Sequence, residues 1–143
     1  MASDVVIRAV GIGERADWEP LWKGYLDFYK TSVPKEVYDT TWARLHDPAE
    51  PMGVLGADVG GRLKGIVHYL YHRSCWTMGN YCYLQDLFVA EDARKLGLGR
   101  ALIEAVYAKA RADGASRVHW LTHETNATAR ALYDTLADRP GFT

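Results

Sequence analysis

The residues best placed to do chemistry form a loop, Arg94-Lys95-Leu96-Gly97-Leu98-Gly99. A strand-like run precedes it. Leu98, Leu102, Ala105 and Val106 follow at helical spacing, with Gly114 as a stop signal. The first N–H groups of a helix lack internal partners and carry partial positive charge, so they can donate to anionic oxygens. Glycines let the backbone approach a bulky diphosphate. Arg94, Lys95 and Arg100 add side-chain charge at the same place. A P-loop would need a following Gly-Lys-Ser/Thr, which is absent. A dinucleotide fingerprint would need a third glycine at position 102, which is leucine. On its own, the pair of glycines also fits a plain turn flanked by exposed basic residues.

Other chemistry-bearing residues are scattered. His119 and His123 flank a late strand. His119, Leu121 and His123 share one sheet face, and Val118, Trp120 and Thr122 the other. His68 and His72 sit on a hairpin and read as weaker candidates still. Cys75 and Cys82 lie on either side of a turn and read as reduced thiols, with no metal site expected. Trp18, Trp22, Tyr25 and Tyr29 recur at spacings of four, three and four, which is one helix face and by default core.

The elements that must position these residues follow from periodicity. Residues 5–10 read as a first strand, and a helix starts near Glu14. Pro34 suits the first turn of a second helix carrying Val37, Tyr38, Trp42 and Leu45, which ends at Asp47-Pro48. Residues 54–59 and 63–71 form a hairpin around Gly60-Gly61, and residues 81–90 a long third strand of the meander. Residues 117–122 read as a strand. Asn126 can cap a last helix with Ala129, Leu132, Tyr133 and Leu136. Strand–helix–strand order in this half implies a parallel pairing.

The chain has 143 residues, 48% hydrophobic and 24% charged, which fits one domain with a real core, residues 1–143. Seventeen basic and 18 acidic residues leave a net charge of -1. That balance gives no reason to expect nucleic acid or an anionic membrane as partner. The start lacks a charged and then apolar leader, and no apolar run approaches the roughly 20 residues of a membrane helix. A cytoplasmic setting is expected.

With Arg94, Gly97 and Gly99 in the pattern Arg/Gln-x-x-Gly-x-Gly/Ala, the chain resembles the GNAT superfamily of N-acetyltransferases. The resemblance takes in the two early helices, the Gly60-Gly61 hairpin, Leu87-Phe88-Val89, and the stretch from Asn126 through Tyr133 to Gly141-Phe142. It implies a mixed α/β (α+β) fold. The central sheet would be mostly antiparallel, splayed between strands four and five, with about four flanking helices. It implies acetyl-CoA as co-substrate and no metal. The pyrophosphate would meet amides from about Lys95 to Arg100, and Arg94, Leu96, Gly97, Leu98, Gly99 and Ala101 count with them as cofactor-binding residues. The pantetheine arm would pair with Leu87, Phe88 and Val89 like an added strand, near Asn126, Ala129 and Tyr133.

The resemblance also suggests roles. Tyr133 matches the family tyrosine facing the CoA sulfur, and a phenol with a reference pKa of about 10 can donate a proton to the departing thiolate. The segment Tyr83-Leu84-Gln85-Asp86 is similar to spermidine/spermine N-acetyltransferases, but their glutamate base is Gln85 here. Gln85 cannot accept a proton, which leaves Asp86 to hold an ammonium or act through water, or else leaves deprotonation to water alone. Phe28, Tyr29, Gln85, Asp86 and His123 are the expected acceptor-site residues. The expected reaction is acetyl transfer to a primary amine of a small molecule: a polyamine, an amino acid or a related metabolite. Alternatives are acetylation of a protein lysine or N-terminus, and a non-catalytic acyl-CoA-binding module. The sequence stops where the family usually adds a final strand, so that strand is expected to be missing. A homodimer is expected.

Overall fold

A computed structural model describes residues 5–120. The sheet has five strands in the spatial order of the sequence: β1 (Val5–Ala9), β2 (Met52–Val59), β3 (Arg62–His72), β4 (Tyr81–Val89) and β5 (Arg117–Trp120). The first four pair antiparallel, and β4 and β5 pair parallel across the helical crossover. The hairpin between β2 and β3 turns on Gly60 and Gly61, both at positive φ (60° and 93°), which a side chain would strain.

Two helices, α1 (Arg15–Phe28) and α2 (Lys35–Leu45), cover one face. In α1 the buried residues are Trp18, Leu21, Trp22 and Leu26, a stripe at helical spacing. Tyr25 is only half-buried and Tyr29 is the residue that ends the helix, so the aromatic stripe leaves the core as it ascends. Pro34 precedes the first helical residue of α2 rather than occupying it; its extended ψ of 161° sets the chain's entry. The third helix, α3 (Leu98–Ala112), covers the opposite face with Leu98, Leu102, Ile103, Val106, Tyr107 and Ala110. Gly114, at φ 78°, ends it. Asn126, Ala129, Tyr133 and His123, with the helix and final segment expected around them, lie outside the described residues.

The sheet therefore separates two cores. Cys82, Leu84, Val67 and Val118 point toward α3, while Ile66, Val54 and Phe88 point toward α1 and α2. One irregularity decides which residues reach which core. His68 of β3 pairs with Asp86 of β4, but the next residue, Tyr69, pairs with Leu84. Gln85 is thus the extra residue of a β-bulge. Under strict alternation Leu84 and Asp86 would share a face. The bulge puts them on opposite faces: Leu84 in the α3 core, Asp86 toward α1.

Candidate active site

Two features of β4 and the loop after it prepare an anion and strand site. The ladder to β5 runs from Tyr81↔Arg117 to Leu84↔Trp120, the last described pair. Beyond it, Ala90 N–H donates to the Lys64 carbonyl of β3, 2.7 Å away. Main-chain direction alternates along a strand, so Phe88 and Asp86 also address β3. Leu87 and Val89 then direct their N–H and C=O groups to the opposite edge. The Val89 carbonyl on that edge accepts from Arg94 Nε at 3.1 Å.

The chain next makes a 3-10 turn, Glu91–Leu96, and Gly97 enters the left-handed region at φ 73°, ψ 21°. That conformation starts α3 directly. Ala101 N–H to the Gly97 carbonyl, 3.2 Å, closes its first turn. The amides of Leu98, Gly99 and Arg100 precede that bond. Among the described residues no side chain caps them, and no acidic residue lies in the first turn, so this end suits an anion.

Three details bear on which groups of the loop remain for a ligand. The Ala101 amide is used by the helix itself. The Leu98 side chain is buried in the α3 core, so only its backbone can face a ligand. Arg94 lies over the Phe88 ring, 5.6 Å from its centroid, and clips the loop to the end of β4. Gly97 stands at the N-cap of α3, and Gly99 and Arg100 lie in its first turn. Arg100 is exposed, with Nε 3.5 Å from Glu104 Oε1. Leu96 is exposed, and Lys95 belongs to the 3-10 turn.

The α1 side of β4 carries the side-chain chemistry. Trp18 Nε1 donates to His68 Nε2 at 2.9 Å, and His68 Nδ1 stands 2.8 Å from Asp86 Oδ2. An indole nitrogen can only donate, so Nε2 accepts and the ring proton lies on Nδ1, where it serves the carboxylate. Trp18 is 0% and His68 3% exposed, while the Asp86 side chain keeps 14%. Burying an indole removes some 200 Å² from water, of order 5 kcal/mol as an upper bound. An unpaired indole N–H would cancel about 1–3 kcal/mol of that. His68 removes this penalty for Trp18. Trp22, stacked on Trp18 with centroids 5.3 Å apart, has a buried Nε1 with no partner among the described residues.

Around this line, α1 lies close on β4. Gly24 leaves room for the Phe88 ring: a Cβ there would stand 2.6 Å from Phe88 Cζ. Phe28, one helical turn on, is 52% exposed and meets Tyr29 edge-on at 5.1 Å. Gln85 is exposed at the bulge. Tyr83 has its phenol pushed above the usual value, first by burial and then by the negative charge of Asp86. Its ring stacks on His119, 4.9 Å between centroids. His119 Nε2 in turn lies 2.8 Å from His72 Nε2.

The structure thus places Asp86 and Gln85 beside the edge of Leu87 and Val89, which no described strand covers, with Arg94 joining that edge to the glycine loop. Sequence reading missed the partnership of His68 and Trp18. His68 stood on the hairpin as a minor candidate, yet it is buried beside the carboxylate. The available signal was a polar residue inside the apolar run Gly65-Ile66-Val67-His68-Tyr69-Leu70.

Among the described residues the Leu87 and Val89 edge of β4 has no strand partner and is followed by a glycine-opened helix N-terminus, an arrangement that suits an extended, anionic ligand. Residues 18–137 match the model of the acetyltransferase (GNAT) family, and the chain belongs to that family. It is an acetyl-CoA-dependent acyltransferase. Among relatives, it is 40% identical over 135 residues to the D-amino-acid N-acetyltransferase HPA3 of Saccharomyces cerevisiae, covering 93% of this chain and 84% of that one. It is 34% identical over 98 residues to a thialysine N-epsilon-acetyltransferase of Caenorhabditis elegans, covering 67% of this chain and 61% of that protein. The fold also matches the aminoglycoside N-acetyltransferase AAC(6')-Iy in complex with CoA. The TM-score is 0.80 at 16% identity, over 96% of this chain and 89% of the other. Among the described residues no helix is long and apolar enough to cross a membrane.

Proposed function

We propose that the chain acetylates the primary amine of a small molecule, with amino acids as the first acceptors to test. The observation that carries the reading is Asp86: a carboxylate held on the α1 face of β4, next to Leu87 on the edge that no described strand covers. The relatives named for D-amino-acid and thialysine acetylation support small amines as the class.

Acetyl-CoA supplies the activated acetyl group. The amides of Leu98, Gly99 and Arg100 suit its diphosphate, and the main chain of Leu87 and Val89 suits its pantetheine arm. An ammonium at the α1 face meets the negative charge of Asp86. Among the described residues only Oδ2 of that carboxylate is bonded, to His68. Oδ1 is the atom to take the amine's proton, directly or through one water, because only a neutral amine can attack. Gln85 beside it can hydrogen-bond the acceptor but cannot take a proton. Tyr133 remains the proposed donor to the departing thiolate. Asn126 and Ala129 remain proposed neighbours of the cofactor, and His123, Phe28 and Tyr29 of the acceptor. A homodimer in a cytoplasmic setting belongs to the same reading, supported by the family resemblance.

Thiol release from acetyl-CoA, measured across D- and L-amino acids, thialysine, polyamines and lysine peptides, tests the proposal. Turnover is expected with free amino acids or small diamines, and weaker turnover with peptides. No turnover with any small amine would refute it, whatever the affinity for CoA.

A further inference from the structure

We infer that His68 is a positioning residue for Asp86: a fixed hydrogen-bond donor locked by Trp18, not a proton shuttle. The inference rests on the reading of Asp86 given above and assigns the side chain on which that reading depends. Both ring nitrogens of His68 are occupied. Nε2 faces Trp18 Nε1 at 2.9 Å and Nδ1 faces Asp86 Oδ2 at 2.8 Å. A shuttle must pass a proton in at one nitrogen and out at the other. Here the exit is blocked, because a proton on Nε2 would set two N–H donors against each other inside the core. A proton taken by Asp86 therefore leaves again from the carboxylate's open side.

What His68 supplies is direction. A carboxylate on a strand can swing about its side-chain torsions. Tying Oδ2 to a ring that is 3% exposed leaves the other oxygen as the working atom. The ring itself is held from two sides. Trp22 packs edge-on to it with centroids 5.7 Å apart, and Trp18 lies 6.0 Å away. Tyr38 of α2 reaches both tryptophans, 6.4 Å from Trp18 and 4.9 Å from Trp22. Asp86 is the one charged group bonded to His68 among the described residues. The bulge at Gln85 makes the arrangement possible by turning Asp86 to the face where His68 is buried.

The experiment compares Asp86→Asn, His68→Leu and His68→Asn, with acetyl-CoA and whichever amine turns over, and with CoA affinity as the check on folding. Asparagine places an amide N–H near the imidazole Nδ1 position but cannot carry a proton through. His68→Asn is expected to keep kcat within about threefold. His68→Leu is expected to lose about ten- to hundredfold in kcat with little change in the acetyl-CoA KM, the range seen when a functional group loses the partner that orients it. Equal loss in both His68 variants, with CoA affinity intact, would overturn the fixed-donor role. Full activity in both, with Asp86→Asn impaired, would show that Asp86 needs no positioning. Full activity in Asp86→Asn would instead sink the underlying reading of the carboxylate. Nitrogen NMR of the wild-type enzyme gives a test independent of the variants. The His68 proton is expected on Nδ1, and finding it on Nε2 would overturn the inference.

Discussion

The two faces of the sheet are built on different principles. The α3 face is an apolar core: Leu98, Leu102, Ile103, Val106 and Val118 are each 1% exposed or less, and the groups proposed to meet the cofactor at its rim are backbone amides. The α1 face has a core of similar burial, but a polar line, Trp18 to His68 to Asp86, runs through it and ends at a half-buried carboxylate. One face thus offers donors that depend only on backbone conformation. The other offers chemistry that depends on side chains meeting from three elements. Damage to the first should register mainly in stability, and damage to the second in turnover or pH response.

The largest effect is expected on the α3 face. Leu102 is fully buried, its Cδ1 3.2 Å from where a Cβ on Gly65 would lie. Leu102→Ala should lose about 2–5 kcal/mol of unfolding free energy, measured by urea titration. The kcat of the folded fraction should stay close to wild type; a large drop in it would blur the division between the faces. A smaller effect is expected from Gly24→Ala on the α1 face, where the new Cβ would press on the Phe88 ring. Overpacking costs about 1–3 kcal/mol and better helix propensity returns about 1, for a net loss of up to ~2 kcal/mol. Because Arg94 lies over the same ring, the KM for acetyl-CoA should rise as well. A stabilised variant with unchanged KM would show that Phe88 can yield freely.

The smallest effect concerns pH. His119 is held below its ordinary value of 6.5, first by burial and then by the charges of His72 and Arg117. The unfolded chain therefore binds this proton at higher pH than the folded one. Stability from this site is complete above about 6.5 and falls as pH drops below it. The urea midpoint should decline more steeply from pH 7 to pH 5 in the wild type than in His119→Phe, which keeps a ring to stack on Tyr83. Equal slopes would remove His119 from the account.

The fold was largely legible. The Gly60-Gly61 turn, the meander, the parallel return of β5 and the start of α3 at the glycine loop depend on near neighbours, whose spacing carries the signal. Helix α3 also buries Ile103 and Tyr107, which widen the apolar stripe beyond Leu98, Leu102 and Val106. Of the candidate site, the backbone frame was legible for the same reason: the helix start at Gly97 depends on a local left-handed conformation. Details of use were not. That Ala101 spends its amide within the helix, and that Arg94 clips to the Val89 carbonyl, are matters of how loop and strand end meet.

The sequence by itself determined that a glycine-opened helix follows a strand, that Asp86 stands beside that strand's end, and that position 85 holds no base. Tertiary structure alone decided what Asp86 can do. Trp18 and His68 are 50 positions apart, and His68 and Asp86 are 18 apart. Their meeting requires α1 to lie over β3 and β4 to slip by one residue at Gln85. A period of two says nothing about where that slip falls, because the slip is set by pairing with another strand and by what each face can bury.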